Sequence, residues 1–184
     1  VSEAVLIGEN RPYCTALVWL WIPEGVTIHI SKRIPSAAGL GGGSSDAAAV
    51  LSGLNGFFPG KVTEARLYSL AEELGSDVPF CLFGGTALAS GKGEKLKRLP
   101  DFPHSWLVVC KPRFSVSTPE LFKKLDECRL PFHPDTNGLV KAIEQGCLKE
   151  TARRSYNVFE DVLPNQHKQI IDAIKDTLIS HRAI

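Results

Sequence analysis

A glycine-rich run, Gly39–Ser45, has the composition of a phosphate-binding loop. Glycines lack the Cβ atoms that would keep a ligand away from the backbone, so successive N–H groups can line one anion-binding concavity. The run lies between a predicted strand and a predicted helix, and the N-terminus of that helix adds a partial positive charge. Ser44 and Ser45 can cap the helix or donate hydroxyls to phosphate oxygens and a metal. The run therefore predicts a phosphate cradle, which suits phosphoryl transfer because that chemistry depends mostly on positioning and charge stabilisation.

The same glycines also suit a flexible loop, and the two common nucleotide motifs do not decide between these interpretations. The chain has no G-x-x-x-x-G-K-[ST] sequence, so this is not a P-loop. A Rossmann G-x-G-x-x-G is absent too, because Ser44 stands at the position of the third glycine. On these residues alone, phosphate binding and a flexible connection both stay open.

The elements around the loop follow from the spacing of apolar residues. Residues 26–31 alternate apolar and polar side chains, which predicts a half-buried strand with His29 on its polar side. The alanine-rich segment that begins at Asp46 predicts a helix. Thr63 is placed to cap a second helix, and Gly75 is placed to end it. The apolar face of that second helix comprises Leu67, Leu70, Ala71 and Leu74.

The rest of the chain predicts a mixed α and β order with a boundary near residue 102. The glycine-rich residues 84–93 suit a strand or a turn pair, and residues 101–103 are typical of a linker. Trp106–Cys110 is predicted as a short buried strand. Three helices are predicted: one with Thr118 as its cap and Pro119 as its first residue, one over 137–145 ended by Gly146, and one over 166–178. The apolar stripe of the last helix comprises Ile170, Ile171, Ile174 and Leu178.

Composition excludes several classes of protein. The 184 residues include 21 Lys+Arg and 20 Asp+Glu, a formal net charge of +1, and 43% are hydrophobic. This is enough apolar material for a core, and too little net charge for nucleic-acid binding through bulk positive charge. The longest apolar run, Ala16–Ile22, is far too short to span a membrane. Five cysteines without a C-x-x-C pair indicate reduced, packed thiols rather than a zinc site or a disulfide scaffold.

Several segments, in order along the chain, resemble the GHMP small-molecule kinases. Pro35–Ala49 is similar to the family's second signature, P-x-x-x-G-L-G-S-S-A. Its G-G-G-S-S-D-A-A form resembles one branch of the family in particular, whose substrate is a cytidine diphosphate derivative. Four further segments match that branch: L-G-S-D-V-P-F at 74–80, G-G-T-A-L-A-S-G-K-G-E at 84–94, K-P-R-F-S-V-S-T-P at 111–119 and Y-N-V-F-E at 156–160.

This resemblance implies an α/β (α+β) protein with the two-domain GHMP-kinase fold and its active site in the inter-domain cleft. Residues 1–100 would belong to the N-terminal ATP-binding domain and residues 104–184 to the C-terminal domain, each of them incomplete. The implied reaction transfers the γ-phosphate of ATP, with Mg²⁺ as cofactor, to a hydroxyl of the cytidine diphosphate derivative on a route to isoprenoids. We expect a monomer or homodimer in the bacterial cytoplasm or a plastid, with neither a nucleic acid nor a membrane as partner.

The resemblance also assigns residues to the site. The residues implied to wrap the ATP phosphates are Pro35, Gly39, Leu40, Gly41, Gly42, Gly43, Ser44 and Ser45. Asp77 matches the family's catalytic aspartate, which takes the proton from the attacking hydroxyl. Its sequence neighbours alone favour helix capping, and one carboxylate can serve both roles. Pro119 and Phe122 match positions that line the cytidine pocket, although a helix start and a core aromatic would use the same residues. No protein residue is assigned as a metal ligand.

Further motif residues and competing interpretations stay open. Lys111 suits either a contact with a diphosphate or a solvated strand end, and helix capping is expected of Asn157 and Glu160. A kinase of homoserine or of a mevalonate derivative is one competing interpretation, against which the G-G-G-S-S-D loop and D-V-P-F argue. A second is a non-catalytic nucleotide-binding protein of the same fold, against which Asp77 argues. A third is a fragment that packs against a partner without binding ATP.

The sequence contains no methionine and lacks three segments of the family. These are A-K-I-N-L, whose lysine assists the transfer, P-D-G-Y-H, which binds substrate, and S-G-S-G-P-T. We expect from this that the molecule is longer than 184 residues and contains these segments. An intact mass well above 20.0 kDa would confirm the expectation, whereas a mass of 20.0 kDa would indicate an inactive fragment without the assisting lysine.

Overall fold

The computed structural model describes residues 2–6, 26, 28–35, 39–130 and 132–183. The chain divides into two units, Val1–Arg98 and Leu99–Ile184. The assignment of residues 1–100 and 104–184 to the two GHMP domains stays a prediction. The apolar run Ala16–Ile22 and the loop residues 36–38 lie outside the described residues.

The first unit contains an antiparallel pair of strands that leads to the glycine-rich loop. β1 (Ser2–Leu6) pairs with β2 (Ile28–Lys32), so that Ser2 lies opposite Lys32. Half-buried and exposed side chains alternate along β2, and His29 is exposed. The predicted strand over 26–31 is therefore confirmed as β2, with its bounds shifted toward the loop. β1 was not predicted.

Three helices form the core of the first unit. They are α1 (Gly42–Phe57), α2 (Glu64–Leu74) and α3 (Val78–Phe83). The prediction for α2 is confirmed, because the Thr63 hydroxyl accepts a hydrogen bond from the Arg66 N–H at 3.3 Å and the helix ends at Gly75. The buried side chains that the three helices share are Ala47, Ala48, Leu51, Leu54, Leu67, Leu70, Ala71 and Val78. This cluster anchors the segments that lead into α1 and α3, where the candidate site residues lie.

Truncation of this core is expected to destabilise the first unit. Leu51 in α1 is fully buried, so Leu51→Ala should lower the free energy of unfolding by about 2–5 kcal/mol, because it leaves a cavity. Urea denaturation followed by circular dichroism measures the change. Phe57→Ala in the same helix is the control, since that ring is 83% exposed and its loss should cost no more than about 0.5 kcal/mol. Equal losses for the two variants would show that the helices pack differently.

A β-hairpin follows α3 and packs against the segment before that helix. β3 (Ala87–Ser90) pairs antiparallel with β4 (Lys95–Arg98), which confirms the strand-and-turn interpretation of the glycine-rich residues here. In the turn, Gly93 has a φ of +117°, and a Cβ added there would lie 2.9 Å from the Ser76 carbonyl oxygen. The turn can approach Ser76 this closely only because residue 93 is glycine. The hairpin thus supports the backbone next to Asp77.

The second unit contains a series of helices. They are α4 (Thr118–Glu127), α5 (Thr136–Glu144), α6 (Leu148–Arg154), a 3₁₀ helix (Val158–Val162) and α7 (Asn165–Ser180). The three predicted helices are confirmed as α4, α5 and α7, whereas α6 and the 3₁₀ helix were not predicted. Ser117, not Thr118, occupies the N-cap of α4, and Asp135 caps α5 by accepting a hydrogen bond from the Gly138 N–H at 2.9 Å. In the described part of the chain, no helix is both long and apolar enough to cross a membrane.

The prediction of a buried strand at Trp106–Cys110 is wrong. The segment forms no strand in the described structure, and its side chains are exposed, that of Trp106 to 92%. Aromatic and β-branched residues are typical of strands, but a strand also needs a partner for its N–H and C=O groups. None of the described residues pairs with this segment. The apolar stripe of α7 also stays accessible, since none of the described residues of that helix is buried.

Candidate functional site

The backbone of the glycine-rich loop explains two of its glycines. Gly39 and Gly41 have φ values of +68° and +64°, in the left-handed region that other residues rarely adopt. A Cβ added at either position would have no atom of the described residues within 4 Å. Leu40 between them is exposed, and so is Pro35 at the strand side of the loop. The loop therefore turns through two glycines, and none of the described residues fills the space beside them.

Helix α1 begins inside the glycine-rich run. Gly42–Ser45 form its first turn, so the prediction that the helix starts at Asp46 is wrong. The left-handed Gly41 is the N-cap and no side chain makes a capping hydrogen bond, so capping, one of the two roles considered for Ser44 and Ser45, is not found. The N–H of Ser45 donates to the carbonyl oxygen of Gly41 at 2.8 Å. The earlier N–H groups of the turn have no partner within the helix, which is the arrangement that binds anions at helix N-termini.

The end of β2 and the residues after it lie against this helix start. A Cβ added at Gly42 would lie 2.9 Å from Cγ2 of Ile34, so a larger residue at position 42 would force Ile34 or the helix start to shift. The Lys32 ammonium donates a hydrogen bond to the Gly42 carbonyl oxygen at 3.2 Å and forms an ion pair with the Asp46 carboxylate. Glycine and serine are weak helix formers, so these tertiary contacts explain why the helix begins at Gly42. Sequence reasoning missed Lys32 and Asp46; the available signal was an acid four residues after Gly42, hence on the same helix face.

Asp77 lies at the N-terminus of α3. It occupies the N-cap position, but its carboxylate makes no capping hydrogen bond and its side chain is exposed. Val78 and Pro79, the first two residues of the helix, are buried and anchor the segment. Asp77 therefore lies at the N-cap position that its neighbours in the sequence predict, but its carboxylate does not cap the helix. The carboxylate is accessible to a ligand.

The loop and Asp77 flank one buried cluster. Ala47 and Ala48 follow the loop within three residues, Val78 follows Asp77 directly, and all three side chains belong to the core of the first unit. Helices α1 and α3 are in contact. The same packing therefore holds both the loop backbone and the candidate aspartate, as a reaction that depends on positioning requires.

The two candidate residues for the cytidine pocket lie on α4 in the second unit. Pro119 is the second residue of this helix, which agrees with a helix-start role, and it is exposed. Phe122 is 55% exposed, and its ring lies edge-on to that of Phe159 with the centroids 5.0 Å apart. Phe122 is therefore not a core aromatic, and the exposed part of its ring is available for stacking on a base.

Comparison with known proteins identifies a domain in the first unit. Residues 10–85 match the sequence profile described as the GHMP kinases N terminal domain. The chain contains a GHMP kinase N-terminal domain. The match to the GHMP kinases includes β2, the glycine-rich loop, α1, α2 and Asp77. The mixed helices and strands of the chain are thus those of the GHMP kinase fold.

Relatives within the GHMP kinases extend this similarity to both units. A protein of Caldicellulosiruptor saccharolyticus named 4-diphosphocytidyl-2-C-methyl-D-erythritol kinase is 44% identical over 163 residues, which are 89% of this chain and 56% of the relative. A protein of Lachnospira eligens with the same name is 44% identical over 184 residues, all of this chain and 61% of the relative. A crystal structure of 4-(cytidine 5'-diphospho)-2C-methyl-D-erythritol kinase matches with a TM-score of 0.58 and 34% identity over 82% of this chain and 53% of that one. The chain therefore spans little more than half the length of these relatives.

The remaining motif residues of the GHMP kinase resemblance build local structure in the second unit. The Asn157 side chain caps the 3₁₀ helix by accepting a hydrogen bond from the Phe159 N–H at 3.1 Å, which confirms its predicted role. Glu160 does not cap a helix; it forms an ion pair with Lys175 on α7. Lys111 does not end a strand in the described structure; it is exposed, and its ammonium donates to the carbonyl oxygen of the next residue at 3.4 Å.

The Cys81 thiol, one helical turn after Asp77, can report on the charge of that carboxylate. Burial, and next the negative charge of Asp77, raise the pKa of Cys81 above its ordinary value. A raised pKa leaves less thiolate at a given pH, so Cys81 should react with iodoacetamide more slowly than the exposed Cys128 at mildly alkaline pH. Peptide mass spectrometry after a timed pulse measures both rates. Asp77→Asn should speed the reaction of Cys81 and leave Cys128 unchanged, and equal rates in the wild type would contradict this.

Proposed function

We propose that the protein is an ATP-dependent kinase that phosphorylates the 2-hydroxyl of 4-diphosphocytidyl-2-C-methyl-D-erythritol in the methylerythritol phosphate route to isoprenoids. The observation that carries the proposal is the start of α1, where a left-handed glycine forms the N-cap without a capping side chain and no described residue lies within 4 Å of a Cβ added at Gly39 or Gly41. The match to the GHMP kinases N terminal domain and the names of the relatives support the same activity. The arrangement of the two units around a substrate cleft is part of the proposal.

The glycine-rich loop would hold the ATP phosphates. The N–H groups of Gly42, Gly43 and Ser44 are directed out of the helix end, and the helix dipole favours negative charge there. Hydroxyls of Ser44 and Ser45 add further donors. The loop residues that precede them, Pro35, Gly39, Leu40 and Gly41, would shape the path of the backbone around the nucleotide.

Asp77 would be the general base, and α4 would contribute to the cytidine pocket. The attacking hydroxyl must lose its proton, and a carboxylate within hydrogen-bond reach can accept it. The exposed carboxylate of Asp77, which is not used as a cap, suits this role. Phe122 would stack on the cytosine ring beside Pro119, since aromatic rings bind bases through their faces.

ATP is the phosphoryl donor in this proposal, and Mg²⁺ would bind with it. Among the described residues, no three His, Cys, Asp or Glu side chains lie together in a possible metal site. This fits nucleotide-bound Mg²⁺, which takes most of its ligands from phosphate oxygens and water and only one or two from carboxylates. The hydroxyls of Ser44 and Ser45 are oxygen donors of the kind that it prefers. Bound Mg²⁺ would neutralise charge on the phosphates.

ADP release with three alcohols tests the proposal. The full-length protein should release ADP with 4-diphosphocytidyl-2-C-methyl-D-erythritol and not with homoserine or mevalonate. ADP release with only homoserine or only mevalonate would make the protein a different GHMP kinase. Thermal stabilisation by ATP without ADP release would indicate a non-catalytic nucleotide-binding protein, because a ligand that binds the folded state raises its stability. Absence of both effects would contradict the proposal.

Assembly and location also belong to the proposal. A monomer or homodimer, with no nucleic-acid or membrane partner, stays the prediction for the quaternary state and the partners. The location stays a prediction as well, either the bacterial cytoplasm or a plastid. The relatives described above are bacterial proteins.

A further inference from the structure

We infer that Lys32 and Asp46 are positioning residues for the ATP phosphates, because their ion pair holds the first turn of α1 in its phosphate-binding conformation. The inference rests on the proposed function and goes beyond it, since neither side chain belongs to the proposed cradle. Two contacts carry it: the Lys32 ammonium donates to the Gly42 carbonyl oxygen at 3.2 Å and pairs with the Asp46 carboxylate.

The two contacts of Lys32 span one turn of α1. Gly42 and Asp46 are four residues apart, so they lie on the same face of the helix. Lys32 is the last residue of β2, and its backbone is held by pairing with β1. One side chain therefore connects the strand to both ends of the first helical turn.

This support does not use the N–H groups of Gly42, Gly43 and Ser44. A serine or aspartate at the N-cap would accept hydrogen bonds from the same N–H groups that an anion would use. Gly41 has no side chain to do so, and the glycines of this turn also lose much backbone entropy when they become ordered. Lys32 instead stabilises the turn through a carbonyl oxygen and a carboxylate. The turn is thus ordered while its donors stay available for phosphate.

The charges of the pair predict how single and double substitutions differ. The side chains of Lys32 and Asp46 are only 23% and 20% exposed, so solvent screens the pair less than it screens a surface pair. Without Lys32, an unpaired Asp46 carboxylate would remain beside the turn and repel the phosphates. Without Asp46, Lys32 keeps its hydrogen bond to Gly42. Loss of Lys32 should therefore weaken ATP binding more than loss of Asp46, and loss of both should weaken it less than loss of Lys32 alone.

The ATP affinity of matched variants of the full-length protein tests the inference. Isothermal titration calorimetry should show a Kd about tenfold or more higher in Lys32→Gln, a smaller rise in Asp46→Asn, and partial recovery in the double variant. Lys32→Arg keeps the charge and the donors, and should stay within about threefold of the wild type. Lys97→Gln, on the exposed side of β4, is the control and should bind ATP like the wild type.

Steady-state kinetics separate positioning from a general loss of structure. At saturating ATP, Lys32→Gln should keep most of its kcat while its KM for ATP rises, whereas a merely destabilised protein would lose kcat. An unchanged ATP Kd in Lys32→Gln, or a double variant weaker than that single variant, overturns the inference and leaves the proposed function standing. A wild type that does not bind ATP overturns the proposed function, and the inference with it. If Lys32→Gln does not fold, a wild-type Kd in Asp46→Asn overturns the inference.

Discussion

Asp77→Asn is expected to lower kcat by about 10²–10⁴-fold and to leave the affinity for ATP nearly unchanged. The amide has the shape of the carboxylate but cannot accept the proton of the attacking hydroxyl. Structural damage should be small, because asparagine is as suitable as aspartate at an N-cap. The buried Val78 and Pro79 also keep the segment in place. A large loss of turnover would therefore report on chemistry rather than on folding.

The Asp77 prediction is measured with saturating ATP and cytidine substrate, and ATP binding is followed separately by calorimetry. Glu72→Gln on α2 is the matched control, since it also removes one exposed carboxylate from the first unit. The control should keep wild-type turnover. Near-normal turnover in Asp77→Asn would show that another group accepts the proton, or that none is needed.

Gly42→Val is expected to weaken ATP binding about tenfold or more, because the added side chain would press the helix start against Ile34. A Cβ at this position would lie 2.9 Å from Cγ2 and 3.1 Å from Cβ of Ile34, and valine adds two further methyl groups. Strain of this kind costs about 1–3 kcal/mol, and a shift of the first turn away from Ile34 would relieve it at the expense of the proposed phosphate site. The change in Kd for ATP measures the effect.

Gly53→Val is the matched control for Gly42→Val. Gly53 lies in the same helix, and a Cβ added there would have no atom of the described residues within 4 Å. Both variants exchange glycine for valine in α1, but only Gly42→Val forces a clash with Ile34. Equal ATP affinities in the two variants would mean that the contact with Ile34 does not shape the nucleotide site.

The sequence predicts an anion site at the glycine-rich loop, which stays a prediction, but it does not predict where the helix after the loop starts. Four glycines near two serines indicate an anion site from residue type alone. The boundary at Gly42 depends on Lys32, Ile34 and Asp46, whose contacts connect residues that are distant in the chain. Local propensity places the helix start at Asp46 because it does not include these contacts.

In the second unit too, features set by neighbouring residues could be predicted from the sequence, whereas features set by distant contacts could not. The 3₁₀ cap by Asn157 and the helix after Ser117 depend on neighbouring residues, so local patterns place them to within a residue. Trp106–Cys110 has the composition of a strand, yet a strand depends on a partner that the composition of the segment does not contain. The core or pocket role of Phe122 depends in the same way on what packs around it. Its exposed ring excludes the core role.

Transfer of radioactive phosphate from [γ-³²P]ATP to 4-diphosphocytidyl-2-C-methyl-D-erythritol tests the proposed reaction most directly. The full-length protein should label the cytidine compound, and ³¹P nuclear magnetic resonance of the product should show one new phosphate monoester at the 2-hydroxyl. Asp77→Asn should form this product far more slowly while still binding ATP. A wild type that binds ATP but leaves the cytidine compound unlabelled would contradict the proposed activity.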